Sequence, residues 1–523
     1  MPNRSTDSLF QLIHSLQKQE KRNFKLYVKR NSSNEDLKII QLFDALEAMS
    51  EYDEEVLMKK TTSIKKQQLS NIKAHLYKQV LASLRLLDND IDNQLHEQLD
   101  NARILYNKGL YLQSLKVLDK IKETAKANNQ ISLLVQVLFL EKKIESLHIT
   151  RSMKDRANQL ITESDNVNQH LFRITKLSNL ALQLYSWYIN NGHARNEKDE
   201  IEIEHYFKTY LSDDLKKSNS FYEKLYLYQS YCWYAFIRQD FLQYYRYTQH
   251  WVDIYEQEPL MIEIETANYI KGVHNLLTAH FTIRNYSKFE AQLKKFEAFA
   301  ESDIVKKSDN NRIQVFVYLY IAKINAHFLN GTFAEGLNLV HYITNKLKEF
   351  QLYLDRHRIL VFYYKIASLY FGSGDYDNTI NYLNKIINWK VDLRNDLQCY
   401  SRLLHLIAHY ELGNYDLMEY LIKSVYRFMA KMENLSLVEE EMFKFLRKSF
   451  HLSPKELRPE FEKLLEKIKQ FEKSRFETRA FVYLDIISWL ESKVYEKPVY
   501  DIIREKYLNN KKDNSRRVPD NKK

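Results

Sequence analysis

A short turn motif recurs along the chain and constrains its fold more than any other feature. Each copy has a turn residue with an apolar or aromatic residue three positions before it, and six of the eight copies have an aromatic residue two positions after it. The turn residues are Gly109, Ser152, Gly192, Gln239, Arg284, Gly331, Gly374 and Gly413. Their spacing of 39 to 47 residues is the period of stacked helical hairpins, so it predicts an all-α fold.

The clearest copy surrounds Gly374. Apolar residues recur at helical spacing over residues 363–370 before the turn and over residues 376–387 after it, which predicts a helix on each side. A helix that stops abruptly needs a residue in the left-handed conformation, which glycine adopts most easily. Five of the chain's eight glycines are turn residues, so glycine is used here mainly to end helices.

The repeated unit resembles the tetratricopeptide repeat, a helical hairpin with small and aromatic residues at set positions. The residues that carry the resemblance in one copy are Ala367, Tyr370, Gly374, Tyr376, Thr379, Leu383 and Ile386. The units are longer than the family's period of about 34 residues and lack its closing proline. The resemblance covers residues 90–430. It implies a right-handed superhelix of about eight antiparallel hairpins, with helical caps at both ends, that binds protein or peptide segments on its inner face.

Both ends of the chain are also similar to an uncharacterised group of long bacterial repeat proteins. The similar stretches are residues 20–27 near the beginning and residues 483–493 near the end. This second resemblance implies a bacterial protein but no activity.

Composition favours a long helical body. The chain has 523 residues, 45% of them hydrophobic, but only eight glycines and six prolines, which argues against sheets and long loops. Two cysteines outside any paired motif, no leader pattern and no long apolar run predict a soluble cytoplasmic protein without membrane contact. Half of the formal charge of +10 lies after residue 503, so the body carries little net charge.

Four regions are predicted. They are a helical bundle or cap over residues 1–90, the repeats over residues 91–430, a second helical cap over residues 431–505 and a basic disordered tail over residues 506–523. No domain boundary is indicated within the repeats. The polar residues 193–200 predict a surface loop after Gly192.

The first region carries a basic stretch. Helices are predicted from an N-cap at Asp7 and over residues 37–49, 53–60 and 66–87. The seven basic residues between positions 59 and 87, where no acidic residue occurs, are Lys59, Lys60, Lys65, Lys66, Lys73, Lys78 and Arg85. Helix, short helix, turn and longer basic helix is also the outline of a helix-turn-helix module. The region is therefore either a capping bundle with a solvated basic face or a head that contacts nucleic acid.

A binding groove is expected along the middle of the first helices. The aromatic residues are densest between positions 222 and 255, and Tyr and Trp give binding surfaces a large contact area. The candidate groove residues are Gln229, Trp233, His274, Thr278, Asn325 and Ser368. The resemblance to the tetratricopeptide repeat implies that this part of each first helix lines the inside of the superhelix.

No catalytic constellation is recognisable. His405 and His409 have the spacing of metal ligands, but no third ligand is indicated. His148, His280, His327 and His409 all lie four residues before a turn, so repeat position explains them better than metal binding does. We expect no cofactor, no metal and no enzyme activity. Two functions remain open: a scaffold that binds a protein or peptide segment, and a nucleic-acid-linked regulator with a basic head and the repeats as its sensor.

Overall fold

All regular secondary structure in the described residues is α-helical, which confirms the all-α part of the prediction. The structure is a computed structural model. It describes residues 7–30, 34–87, 90–148, 155–389, 395–432, 435–449, 452–472, 474, 476–477, 480–481 and 484–516. Within these ranges, no helix combines the length and the apolar composition that a membrane crossing requires. The chain divides into two compact units, Met1–Val167 and Asn168–Lys523.

The N-terminal unit is built around two apolar cores. Its helices are α1 (Ser8–Ser15), α2 (Lys18–Arg30), α3 (Asn34–Glu47), α4 (Glu54–Lys60), α5 (Lys66–Arg85), α6 (Ile91–Asn107), α7 (Tyr111–Ala127), α8 (Ile131–His148) and the first part of α9 (Arg156–Asn191). Asp7 caps α1 as predicted, because its side chain accepts a hydrogen bond from Phe10 N at 2.9 Å. Helix α2 was not predicted, since only Phe24 and Val28 are buried along its basic sequence.

The C-terminal unit continues with helices on both sides of each turn. Its helices are the rest of α9, α10 (Glu197–Tyr210), α11 (Asp213–Lys216), α12 (Phe221–Ile237), α13 (Phe241–Gln257), α14 (Leu260–Ile264), α15 (Thr266–Thr282), α16 (Tyr286–Ala300), α17 (Asp303–Lys306), α18 (Asp309–Asn330), α19 (Phe333–Gly336), α20 (Asn338–Glu349), α21 (Arg356–Ser373), α22 (Tyr376–Ile387), α23 (Asn395–Glu411), α24 (Tyr415–Lys431), α25 (Leu437–Ser449), α26 (Pro454–Phe471), α27 (Ile486–Val494) and α28 (Val499–Arg516). Helix α12 packs on α13, α15 on α16, α21 on α22 and α23 on α24. These pairs are the predicted hairpins.

Seven of the eight turn residues have a left-handed backbone, and the eighth, Ser152, lies outside the described residues. The seven are Gly109, Gly192, Gln239, Arg284, Gly331, Gly374 and Gly413, with φ between 52° and 85°. At Gly374 the turn is closed by a hydrogen bond from Asp375 N to Tyr370 O of 3.0 Å, the pattern that ends a helix on a left-handed residue. The turn predictions that fall on described residues are confirmed.

The aromatic residues on the two sides of a turn contact each other. The ring centroids of Phe371 and Tyr376 are 5.4 Å apart. The other pairs are Tyr106 and Tyr111 at 5.7 Å, Phe236 and Phe241 at 6.4 Å, Phe328 and Phe333 at 5.8 Å, and Tyr410 and Tyr415 at 6.1 Å. The motif needs an aromatic residue on each side because the two rings pack together across the turn.

Helix α9 departs from the predicted ladder. It runs for 36 residues without a break, so one helix replaces the two that the Ser152 and Gly192 copies predict. The division between the compact units falls inside it, after Val167, although the sequence indicates no boundary there. The reason is that α9 serves two cores: Val167 packs on a core of the N-terminal unit, whereas Leu177 and Leu184 belong to a core of the C-terminal unit.

The residues 193–200, predicted as a surface loop, form one only in part. His193 and Ala194 are each 1% exposed. Ala194 N donates to Ile237 O at 2.8 Å, and Gln239 Nε2 donates to Ala194 O at 3.1 Å. These bonds tie the start of the loop to the end of α12 and to the next turn, which buries it.

The last helix, α28, packs back on the repeats. A Cβ on Gly331 would lie 2.6 Å from Tyr500 O and 2.8 Å from Arg504 N, so only glycine allows this approach. Tyr507 donates its hydroxyl to Glu290 Oε1 at 2.6 Å. The turn residue Gly331 therefore serves both its own hairpin and the docking of α28.

The predicted disordered tail, residues 506–523, is helical as far as the structure describes it. Helix α28 continues to Arg516, and residues 517–523 lie outside the described residues. Ile502 and Tyr507 are buried on its inner side. The high proportion of basic and polar residues conceals this apolar face, which is why the sequence suggested disorder.

Candidate functional site

Positive side chains collect on α15 and α21, the first helices of the hairpins before and after the α18 hairpin, with aromatic side chains between them. We call this set the basic recess, and its members are Trp233 on α12, Lys271 and His274 on α15, Tyr318 on α18, and Arg358 and Lys365 on α21. Helix α15 packs on α18, and α18 packs on α21. The recess is thus formed by consecutive repeats.

A single helical stripe positions these residues. Counted back from the turn residue of its own hairpin, each lies six, nine, ten, thirteen or sixteen positions upstream. Because an α-helix has about 3.6 residues per turn, these positions share one face. Side chains from successive hairpins therefore meet on the same side of the stack.

Tyr318 lies at the centre of the recess. Its ring stacks on His274 with 4.3 Å between centroids. Lys271 Nζ is 5.1 Å from the Tyr318 centroid and 5.8 Å from that of Trp233, and Arg358 Cζ is 5.9 Å from that of Tyr318. The electron-rich ring faces attract these cations, but by less than a carboxylate would.

Lys365 lies among the same helices. Its Nζ donates to Asn325 Oδ1 at 2.6 Å and lies 5.4 Å and 5.2 Å from the rings of Phe281 and Phe328. Burial lowers the pKa of Lys365 to about 8. The amine is therefore mostly charged at neutral pH, in surroundings that disfavour the charge.

The recess has no carboxylate partner for its lysines among the described residues. Lys271 and Lys365 form no ion pair there, and Arg358 has only Asp355 of its own helix, with Nε and Oδ2 3.4 Å apart. Burial, and after it the positive charges of the recess, hold the pKa of His274 well below its usual value. The imidazole is therefore neutral at neutral pH, and the recess concentrates positive charge that the protein does not neutralise.

The cationic residues of the recess are more exposed than its aromatic residues. Lys271, Arg358 and Lys365 are half-buried, whereas Trp233 is 8% and Tyr318 9% exposed. The cationic side chains are therefore more open to a ligand than the rings are. The recess therefore suits a negatively charged ligand better than one that needs an open ring to stack on.

Two of the six predicted groove residues are members of the recess, and a third contacts it. Trp233 and His274 are members, and Asn325 holds the amine of Lys365. Trp233 also packs on Tyr185, with 4.8 Å between centroids, and belongs to an apolar core. It therefore supports the fold as much as it faces a ligand.

The other three predicted groove residues have local partners. Gln229 is buried and donates to Asn268 Oδ1 at 3.2 Å. Thr278 and Ser368 are half-buried, and each donates its hydroxyl to a carbonyl of its own helix at 2.9 Å. In the described part of the chain, none of these three forms a hydrogen bond with a charged group of the recess.

The sequence prediction missed the three cations of the recess, Lys271, Arg358 and Lys365, and the central ring of Tyr318. The signal was available, because these residues continue the stripe of the predicted groove by about one to three helical turns toward the start of each first helix. What the sequence could not indicate was that residues from separate hairpins converge on Tyr318.

Six of the seven predicted polyanion contacts are exposed, namely Lys59, Lys60, Lys65, Lys66, Lys78 and Arg85. Lys73 is the exception. It is ion-paired with Asp7, and its Nζ lies 3.0 Å from Tyr52 Oη and 4.6 Å from the ring centroid of the same tyrosine. Lys73 therefore fastens α5 to the start of α1 and is not available to a ligand.

Helix α2 presents a second basic face. Lys18, Arg22, Lys25 and Lys29 follow one helical stripe and line a shallow hollow. Lys25 is paired with Asp44, with Nζ and Oδ1 2.8 Å apart, whereas the other three are exposed. This face adds to the positive charge of the N-terminal unit.

Two of the histidines that precede turns, His327 and His409, contact the residue that follows the turn residue. His327 Nδ1 lies 2.8 Å from Thr332 Oγ1, and His409 Nδ1 lies 3.0 Å from Asn414 Nδ2. The rings of His405 and His409 are 4.5 Å apart. In the part of the chain that the structure describes, no cluster of three or more His, Cys, Asp or Glu residues is arranged to hold a metal ion.

No protein-family model matches the chain, and neither a curated protein nor a solved structure does so. The functional proposal therefore depends on the chemistry of the recess and of the basic faces.

Proposed function

We propose that the chain is a non-enzymatic cytoplasmic scaffold that holds a segment of a partner protein in the basic recess. One observation carries the proposal: Lys271 and Lys365 are half-buried beside Arg358 without a carboxylate partner among the described residues. A charge withdrawn from water lowers stability unless an opposite charge compensates it. Such an arrangement is typical of a binding site rather than of packing.

The repeated hairpins support this proposal. Each first helix contributes the same stripe, so consecutive hairpins add to one continuous surface. In a right-handed superhelix of about eight tetratricopeptide-like hairpins, that stripe lines the inner face. A partner segment would then contact several helices at once, which is how repeat proteins obtain affinity from shallow surfaces.

Photo-crosslinking tests the proposal. A photoreactive amino acid replaces Ser368, which is half-buried one helical turn from Lys365. A matched control carries it in place of Tyr420, which is 73% exposed on α24. We expect the Ser368 position to capture one defined protein in native extract and the Tyr420 position to capture none of it. Capture should also fall when Lys271→Met and Lys365→Met are combined.

Two results would contradict the scaffold proposal. One is equal capture from both positions, which would mean that contact with the extract is unspecific. The other is capture at Ser368 that persists unchanged in the double lysine variant, which would separate the partner from the recess.

The basic faces of the N-terminal unit favour a second candidate, a nucleic-acid-linked regulator with the repeats as its sensor. Lys18, Arg22 and Lys29 on α2 are exposed, as are Lys66 and Lys78 on α5. A duplex bound through these cations would lose affinity steeply with salt. We expect glutamine at these five positions to weaken duplex binding and to flatten its salt dependence. A fluorescent duplex that fails to bind even at low salt would exclude this candidate.

A further inference from the structure

We infer that the basic recess takes an extended acidic segment of a partner protein, in which two carboxylates about 10 Å apart face the cations of α21. The inference rests on the proposed function and specifies its ligand. It starts from charge, since Lys271, Arg358 and Lys365 share one recess and the only carboxylate that the described residues pair with them is that of Asp355, the N-cap of α21. A ligand that brings carboxylates completes ion pairs that the chain leaves open.

The spacing of the cations sets the spacing of the carboxylates. Arg358 and Lys365 are seven residues apart on α21, which puts them on the same face and about 10 Å apart along the axis. One carboxylate is too small to contact both. In the extended polyproline II conformation, side chains three residues apart return to the same face at about 9 Å. An acidic residue followed three positions later by another therefore matches the recess.

Hydrogen bonding favours a peptide over other anions. Asn325 Oδ1 accepts from the Lys365 amine, which fixes the orientation of the amide. The Asn325 amide nitrogen is left to donate, and a peptide carbonyl is a natural acceptor for it. Lys271 on α15 provides a third cation for a longer acidic segment.

Nucleic acid fits the recess less well. Single-stranded nucleic acid binds by stacking its bases on open aromatic faces. The rings of Trp233 and Tyr318 are only 8% and 9% exposed, and Lys271 and His274 already lie over the Tyr318 ring. Charge pairing is therefore available to a ligand, whereas stacking is not.

Fluorescence anisotropy with the full chain tests the inference. The probes are labelled decapeptides with a central Glu-Pro-Pro-Glu, the same peptides with Gln-Pro-Pro-Gln, and a labelled single-stranded RNA. We expect the glutamate peptide to bind at least tenfold more tightly than the glutamine peptide. Lys365→Met and Arg358→Met should each weaken the glutamate peptide about tenfold, and Lys271→Met by less.

Lys323→Met is the matched control. Lys323 also lies on a first helix and over a tyrosine ring, but it is paired with Glu297 at 3.0 Å, so the peptide should bind this variant as it binds wild type. Thermal melting checks that every variant is folded, and Arg358→Met serves if Lys365→Met is not.

Three results would overturn the inference. They are equal affinity for the glutamate and glutamine peptides, glutamate binding unaffected by Lys365→Met and Arg358→Met, and RNA binding that those two substitutions abolish. Each leaves the scaffold proposal separately testable, because crosslinking from Ser368 reports a protein partner whatever its charge. If a partner is captured at Ser368 but the glutamate and glutamine peptides bind equally well, the acidic ligand is refuted and the scaffold proposal stands.

Discussion

Replacing Gly331 by alanine separates the two roles of this turn residue. Gly331 and Gly374 both have a left-handed backbone, with φ of 69° and 85°. A Cβ on Gly374 would meet nothing within 4 Å, whereas on Gly331 it would meet the backbone of Tyr500 and Arg504. Gly374→Ala therefore reports the turn alone, and Gly331→Ala reports the turn together with the docking of α28.

The magnitudes follow from these two terms. A left-handed alanine costs about 1–2 kcal/mol, so this is the expected loss for Gly374→Ala. The overlap with α28 adds about 1–3 kcal/mol, the usual range for a group forced into a packed site. Gly331→Ala should therefore destabilise the C-terminal unit by about 2–5 kcal/mol. The excess should appear as undocking of α28, because the helix can move away whereas the turn cannot.

Hydrogen–deuterium exchange measures this difference directly. We expect the amides of α28 to exchange about 5- to 150-fold faster in Gly331→Ala than in wild type, as a loss of about 1–3 kcal/mol implies. In Gly374→Ala their exchange should be unchanged, while that of α21 and α22 rises. The carbonyl of Asn330, which accepts from Arg504 Nη1 at 3.2 Å, is part of the same contact.

Equal exchange of α28 in the two alanine variants would refute the reasoning. It would mean that the close approach at Gly331 does not hold the helix. Faster exchange of α28 in Gly374→Ala would refute it as well, since that turn has no contact with an added Cβ.

Three further predictions concern buried charges. The pKa of Lys365, about 8, lies below the ordinary 10.5, so between these values the unfolded chain binds more protons than the folded chain, and wild type gains stability relative to Lys365→Met as the pH rises. In urea unfolding, wild type should be about 1–2 kcal/mol less stable than Lys365→Met below pH 8, and this difference should shrink by pH 10. A difference that stays constant with pH would contradict the prediction. Glu141→Gln removes the charge of a carboxylate that is 0% exposed and whose Oε2 lies 2.6 Å from Lys122 Nζ. The substitution should destabilise the N-terminal unit by roughly 3 kcal/mol. Faster amide exchange in α7 and α8 would show this loss, and unaltered exchange would refute the prediction. Lys73→Met breaks the pair with Asp7 and should speed the amide exchange of α1 by about 5- to 30-fold, which corresponds to a loss of about 1–2 kcal/mol. Duplex binding should not change. Weaker duplex binding would mean that Lys73 does contact nucleic acid.

The sequence by itself determined the features that depend on neighbours along the chain. The left-handed conformation of Gly374 and the hydrogen bond that closes its turn, from Asp375 N to Tyr370 O, involve only residues 370–375. The aromatic pair across that turn, Phe371 and Tyr376, is also local. Gln239 and Arg284 adopt the same geometry without glycine. Spacing alone therefore located them, because a hairpin imposes the conformation on whichever residue occupies the turn.

Other glycines and the last helix were decided by tertiary contacts. Gly372 is helical, and a Cβ there would overlap the ring of Phe333 on α19. This glycine therefore makes room for the Phe333 ring and does not end a helix. Tyr507 reaches Glu290 across a separation of 217 residues. As far as residue 516, the segment whose composition suggests disorder is helical and packs on the chain, because the surface it covers lies far away in the sequence.

The recess is the strongest case of this division. The sequence showed which stripe of each first helix matters, and so it found Trp233, His274 and Asn325. It could not show that cations from separate hairpins gather around Tyr318, nor that the described residues provide Lys271 and Lys365 with no carboxylate. Helical periodicity sets the direction of a side chain within one helix, whereas the packing of one hairpin on the next decides which charges face each other.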